Sequence, residues 1–320
     1  MIPLNAVLSE AGGGHMGIGP ARYMAELEKL LGLSNLAHLF ALVVGTSVGA
    51  IDMALLACGY SAREVLDLHR EHGAGIFGDK LWAYRILKNG PKYSDAYVLK
   101  LLRAKFGDRT MSSTVPPLYI TAYDARRRKL KVFGPKDTLV PVWYAVRCSM
   151  AASSYFAPMG GYSVEDGVFR ILSDKRYTDG GFTANDPLLC GMAAGFEDGL
   201  LQADDLRLLE LVTSGETPES GPLKTGWNIL TTLKKVIIPA VTAGNSADVE
   251  FIGRAWLRSL HVSPDNLFRV SPATPDMELD ETKKSPMVED LWAKQWDRDY
   301  GALVRFLGSN HAPRIRAQPH

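Results

Sequence analysis

Ser47 is the residue whose neighbours best suit it to act as a nucleophile. It lies in Gly45-Thr46-Ser47-Val48-Gly49, which fits G-x-S-x-G. In that pattern a serine sits on a tight strand-to-helix turn, with its hydroxyl exposed at the carboxyl end of the strand. Gly45 and Gly49 let the chain pass itself, and the N-terminus of the following helix favours developing negative charge. The bare pattern is common by chance. Here an apolar run, LFALVV, precedes it and a helical pattern, Ala50 to Cys58, follows. A serine that only caps the helix is the plainer reading of the same residues.

A serine hydroxyl needs a base. Of the seven histidines, only His261, in LRSLHVSP, falls late enough for the chain order of an α/β-hydrolase Ser-His-Asp triad. Nothing around it marks it as catalytic. His15, inside a glycine loop, is a second candidate. A carboxylate is the better partner. Asp179, in YTDGGFTANDP, is followed by Gly180 and Gly181, which let the backbone bend and present the acid into a cleft. A simple Asp-Gly turn would look the same.

The glycine loop is AGGGHMGIGPAR, Ala11 to Arg22. As G-x-G-x-x-G (Gly12, Gly14, Gly17) it has the strand-loop-helix setting of a dinucleotide site. That fingerprint also wants an acid about 20 residues on, at the end of the second strand, and there this chain has its candidate nucleophile. A phosphate loop fails at Ile18 and Gly19, where Lys and Ser or Thr belong. An oxyanion hole remains. The N–H groups of Gly12, Gly13, Gly14 and Gly17 at a helix N-terminus form an anion-binding concavity. A neighbouring parallel strand would bring Ser47 to the same edge.

These residues need a scaffold that repeats strand, loop and helix. Leu4–Leu8 reads as a strand, and Pro20 opens a helix that Gly32 stops. LFALVV reads as a strand buried on both faces. Ser61–Phe106 looks largely helical, with turns near Gly73–Gly78 and Asn89–Pro91. Leu118–Tyr123 and Leu130–Phe133 read as a hairpin with Arg126, Arg127 and Arg128 at its tip. PVWYAVRCSMAASSYFAPM predicts a helix ending before Pro158, YTDGGFTAND a polar turn, and Pro187 the start of another helix. Leu206–Gly215 predicts a strand. The remainder reads as mainly helical and closes with an amphipathic helix opened by Ser285-Pro286. Strands alternating with helices predict an α/β fold, a mostly parallel sheet with helices on both faces. The expected division is a core over 1–215, a helical part over 216–310 packed on it, and a flexible tail over 311–320.

The chain has 320 residues, 46 % apolar and 22 % charged, with a net charge of +1. That balance carries no field to draw it to nucleic acid. Cys58, Cys148 and Cys190 are too few and too scattered for a metal site or a disulfide framework, and neither metal nor cofactor is expected. The first residues lack a basic start and a long apolar run, so a cytoplasmic protein without signal peptide is expected. Leu39–Cys58 is about as long as a membrane span, but Gly45, Gly49 and Asp52 split it into strand, turn and helix. Two stretches mix aromatic, apolar and basic residues as a peripheral membrane contact would: Ile76–Tyr93 and residues 227–241. Packing against the sheet is the ordinary explanation of both.

The order GGGHMG, GTSVG, TDGG resembles the patatin-like phospholipases. RCSMAASSYFAPM is similar to the family's A-S-x-A-x-P-x-F-type segment, DGGFTANDP to its D-G-G/A-x-x-x-N-x-P block, and LVTSGET to a strand ending in a glycine turn. The resemblance covers about Leu4 to Gly215. It implies a three-layer α/β/α fold and a Ser–Asp dyad: Ser47 as nucleophile, Asp179 as base, the Gly12–Gly14 loop as oxyanion hole. It further implies hydrolysis of fatty acyl esters of lipid or phospholipid through an acyl-enzyme, with no histidine or metal. The alternatives are a carboxylesterase or thioesterase with a Ser-His-Asp triad, and a non-enzymatic lipid-binding member of the fold. One departure stands out. The family often carries Arg or Lys where this chain has Met16, and a basic group there could assist the oxyanion or neutralise a head group.

Overall fold

The structure, a computed structural model, describes residues 3–78, 90–153, 155–213, 244–275 and 277–308. An eight-stranded sheet runs through it in the order β5-β6-β3-β2-β1-β7-β8, with β4 also paired to β3. Five strands are mutually parallel: β1 (Leu4–Glu10), β2 (Phe40–Gly45), β3 (Leu118–Asp124), β7 (Arg207–Leu211) and β8 (Leu267–Val270). The other three, β4 (Lys129–Phe133), β5 (Met159–Glu165) and β6 (Val168–Asp179), join antiparallel. The continuous apolar runs of β1 and β2 are what burial on both faces demands.

Helices cover both faces, completing three layers. One face carries α1 (Ile18–Leu31), α2 (Val48–Ala57), α3 (Ala62–Ile76), α4 (Ala96–Phe106), α5 (Val142–Ser149) and, near the C-terminus, α9 (Ser285–Leu307) around the larger core. The single turn α6 (Gly181–Ala184) leads into α7 (Leu188–Glu197). Together with α8 (Gly244–Ser259), α7 closes a smaller core on the opposite face. Local signals set the ends. Gly32 takes a left-handed φ of 62° and caps α1 by donating to the Glu28 and Lys29 carbonyls. Ser61 and Glu64 form a reciprocal capping box at the start of α3.

Leu39–Cys58 forms no span: it is β2, the turn and α2. Among the described residues no helix is long and apolar enough to cross a membrane. Of the membrane-contact candidates, residues 79–89 and 227–241 lie outside the described residues, and so does the tail over 311–320. Ile76 and Tyr93, at the ends of the first candidate, are buried.

Two expectations are corrected, and two strands were not foreseen. The helix after Val142 stops at Ser149 instead of reaching Pro158. Beyond it the backbone turns to serve other strands: the Ser149 and Ala151 carbonyls accept the N–H groups of Gly180 and Asp179. YTD is not a turn but the end of the twelve-residue strand β6. Its hairpin partner β5 was also unforeseen, because the outer half of β6 is exposed on both faces and has no apolar alternation. The C-terminal part, read as mainly helical, also carries one strand that was not foreseen. β8 extends the sheet beside β7, but at four residues it is too short to read from LFRV.

Candidate active site

Strand register brings the two candidate groups level. On β3, Ile120 pairs with Gly45 of β2, while Ala122, two residues on, pairs with Asp179 of β6. Ser47 lies two residues past Gly45, so it ends at the height of Asp179 across the β3 edge. The intervening turn closes the gap: Ser47 Oγ donates to Asp179 Oδ2 at 2.8 Å.

Ser47 holds φ 55° and ψ −115°, a conformation rare for a residue with a side chain. It costs of order 1–3 kcal/mol and persists only where the surroundings enforce it. Here they do. A Cβ on Gly45 would lie 2.3 Å from the Gly49 carbonyl oxygen, and one on Gly49 would lie 2.3 Å from that of Glu10. Thr46 Oγ1 donates to the Ala184 carbonyl at 2.7 Å and lies 2.6 Å from Thr121 Oγ1. The Ser47 N–H donates to Ser149 Oγ at 2.8 Å. The hydroxyl therefore stands at the N-terminus of α2 with few positions open to it.

Asp179 is buried. Its Oδ1 accepts the Gly181 N–H at 2.7 Å, leaving Oδ2 for the serine. Burial pushes its carboxyl up to about 6. The Gly181 N–H, the Ser47 hydroxyl and the Arg147 guanidinium hold it below what burial alone would give. A carboxylate near neutrality that touches a serine hydroxyl is suited to take and return its proton. Gly180 is required by close packing, since a Cβ there would meet Thr121 Oγ1 at 2.3 Å.

The glycine loop divides its labour. The Gly12 N–H is not free to face a substrate, because it donates to the Asn185 carbonyl at 2.9 Å. The Gly12 carbonyl in turn accepts from Thr213 Oγ1 at 2.5 Å. Gly17 is a packing glycine, and a Cβ there would collide with Val48. Of the expected donors, Gly13 and Gly14 have N–H groups with no acceptor among the described residues. The next N–H, of His15, donates to the Leu279 carbonyl at 2.9 Å.

Neither histidine candidate is brought to Ser47. His261 is exposed just past α8 at φ 59°. His15 is buried, which lowers its tendency to protonate, and its Nδ1 lies 3.3 Å from Ser285 Oγ. Met16 is buried in the larger core, 5 % exposed. A side chain there packs inside the protein, so the position cannot serve a head group.

Sequence reasoning missed three supports: Ser149, Asn185 and Thr213. All three stand inside blocks already singled out, but only the fold shows that they hold Ser47 and Gly12. Asn185 adjoins Asp186, which is buried with Glu210 around Arg269 of β8. Arg269 Nη1 lies 3.2 Å from Asp186 Oδ2 and 2.5 Å from Glu210 Oε2. Burial, and then Asp186, push Glu210 well above the usual carboxylate range.

A family model described as patatin-like phospholipase matches residues 9–189. A rice protein (Oryza sativa subsp. indica) described as patatin-like protein 2 is 30 % identical over 215 residues, covering 60 % of this chain and 53 % of its own. This chain therefore spans about half the length of that relative. A cGAMP-activated phospholipase of Vibrio cholerae serotype O1 is 26 % identical over 271 residues, covering 75 % of this chain and 74 % of its own. Among solved structures, VipD from Legionella pneumophila aligns over 93 % of this chain and 67 % of its own, with 12 % identity and a TM-score of 0.45.

Proposed function

This chain belongs to the patatin-like phospholipase family, and from that premise we propose that it is a lipid acyl hydrolase working through Ser47 and Asp179. The observation that carries the reading is the 2.8 Å hydrogen bond from Ser47 Oγ to Asp179 Oδ2, made by a serine on a strained turn. In the first step Ser47 Oγ attacks the carbonyl carbon of a fatty acyl ester and its proton passes to Asp179 Oδ2. The carbonyl oxygen, now negative, is met by the Gly13 and Gly14 N–H groups and by the N-terminus of α2. Collapse expels the alcohol, which takes the proton from Asp179, and leaves an acyl-Ser47 ester. Asp179 then deprotonates a water that attacks this ester. The fatty acid leaves and Ser47 regains its proton.

The name of the Vibrio relative, a phospholipase, supports a phospholipid substrate. Two measurements test the reading together. A fluorophosphonate probe should label wild-type protein at Ser47 and leave Ser47→Ala unlabelled. Mass spectrometry of products from mixed phospholipids and glycerides should show fatty acid release by wild type alone. Undiminished release by clean Ser47→Ala would sink the mechanism.

A further inference from the structure

The loop Met277–Glu281, between β8 and α9, is tied to both sides of the candidate site. On one side the Leu279 carbonyl accepts the His15 N–H, next in sequence to the two open glycine donors, and it fits there only because residue 14 is glycine. A Cβ on Gly14 would lie 2.3 Å from that oxygen, and Gly14 itself holds φ +59°. On the other side Asp280 accepts from both Lys92 Nζ and the Tyr93 hydroxyl. Glu278 accepts from the Tyr155 hydroxyl at 3.3 Å. Tyr93 and Tyr155 are joined by a backbone hydrogen bond of 2.8 Å and stack at 6.3 Å. Tyr155 also donates its N–H to Ala152, whose neighbour Ala151 accepts the Asp179 N–H. The loop is therefore a strap from the glycine cradle to the wall that holds the base.

What the strap's carboxylate occupies is an anion site. Lys92 Nζ stands 5.4 Å from the ring centroids of both Tyr93 and Tyr155, so its charge is held at one place by two aromatic faces. An ammonium and a phenol O–H converging on one oxygen make strong, charge-assisted donors for a carboxylate or a phosphate. Asp280 is partly buried there. Burial alone would raise its carboxyl, yet the Lys92 and Tyr93 hydrogen bonds outweigh burial and hold it below the usual range. The pair thus prefers a full negative charge. With Met16 buried, the position that could have carried a basic residue for a head group offers none, whereas Lys92 supplies a cation on the base-side wall.

We propose that Lys92 and Tyr93 form the subsite for the phosphodiester of a phospholipid head group, and that Asp280 on the strap fills it until substrate displaces it. The inference rests on the lipid hydrolase reading above. Displacing Asp280 loosens the strap on that side, where the Glu278–Tyr155 contact remains, while the phosphate takes over both donors. A lipid without phosphate offers no replacement anion, so the strap stays fastened and disfavours it.

The test compares phosphatidylcholine and diacylglycerol with identical acyl chains in the same detergent micelles. Lys92→Met should lower the ratio of kcat/KM for phosphatidylcholine to that for diacylglycerol by about tenfold or more, through KM, and Lys92→Arg should restore most of it. Asp280→Asn should raise the phosphatidylcholine rate several-fold. A ratio that Lys92→Met leaves within about twofold, or that Asp280→Asn lowers, overturns the assignment. Inorganic phosphate alone separates the sources. Inhibition of diacylglycerol turnover by phosphate that Lys92→Met abolishes would make this a free-phosphate site and overturn the head-group claim. A binding arm in the Ser47→Ala background, using soluble dihexanoylphosphatidylcholine, needs no turnover. Binding weakened about tenfold by Lys92→Met supports the subsite, and equal binding overturns it. Failure of Ser47 to react with fluorophosphonate would strike the hydrolase reading and leave the binding arm able to decide this one.

Discussion

The proposed nucleophile and the proposed base come from two parts of the sheet built on different rules. The parallel half, β1, β2 and β7, supplies Ser47 and the glycine cradle through short strand-to-helix turns. Their glycines lie within a few positions, Gly45 and Gly49 about Ser47 and Gly13 and Gly14 ahead of α1, and groups such as Ser149 and Asn185 brace them. The antiparallel part, β4 to β6, joined along β3, supplies Asp179 at the end of a long hairpin strand. It is held by groups distant in sequence, Ala151 and Thr121 among them. One half stores its readiness as backbone strain at φ 55°, the other as a carboxyl that burial raises to about 6. Reactivity therefore rests on two separable properties, and each can be removed without the other.

The largest separation is expected from Asp179→Asn. It leaves the strained turn intact and removes the proton acceptor, so kcat should fall by about 10²- to 10⁴-fold while lipid still binds. A fall of less than tenfold in steady-state assays would mean that some other group takes the serine's proton. In wild type the same carboxyl must be ionised to act, so kcat/KM should rise with pH and level off above a midpoint near 6. A flat profile between pH 5 and 8 would contradict this.

Gly45→Ala attacks the other half. The added methyl has nowhere to go against the Gly49 carbonyl, and overpacking of this kind costs about 1–3 kcal/mol. A lowered Tm together with lost fluorophosphonate labelling should result, and unchanged labelling would show that the turn can relax. Ser149→Ala touches the seam between the halves by removing the acceptor of the Ser47 N–H. About tenfold loss in kcat with little change in Tm is expected, since one hydrogen bond of this kind is worth about 0.5–1.5 kcal/mol.

The last effect concerns stability and not rate. Because Asp179 is raised from 3.8 to about 6, the native state binds its proton more tightly than the unfolded chain does. Its contribution to stability is therefore lost as pH rises from about 4 to 6 and stays lost above. Asp179→Asn should be more stable than wild type at pH 8, by up to about 2–3 kcal/mol. The gap should close toward pH 4. Denaturant melts at the two pH values would decide, and a variant less stable at pH 8 would refute the sign.

The same contrast explains what could be read from the chain. Ser47, the glycine loop and the flanking strands were legible because short-range turn chemistry and continuous apolar runs encode them. Asp179 was legible as a motif but not as the end of a strand, since β6 is solvated along its outer half and owes its form to pairing with β5. The engagement of the Gly12 N–H was hidden for a related reason. Which amide in a glycine run stays open depends on a carbonyl 173 positions away, that of Asn185. Met16 shows the reverse case: a position read for the oxyanion or a head group is turned inward by the helical turn that carries it.

Arg269 extends that dependence beyond the stretch that the family match covers. It sits on β8, eighty residues past residue 189, yet it neutralises the buried acids beside Asn185, the residue that orients Gly12. A chain cut after residue 215 would take Arg269 away from Glu210 and Asp186. It would also remove the partner strand of β7. Recognisable ancestry and mechanical self-sufficiency therefore end at different places in this molecule. Grafting the recognisable portion alone onto another protein would transplant a reaction centre without its keystone.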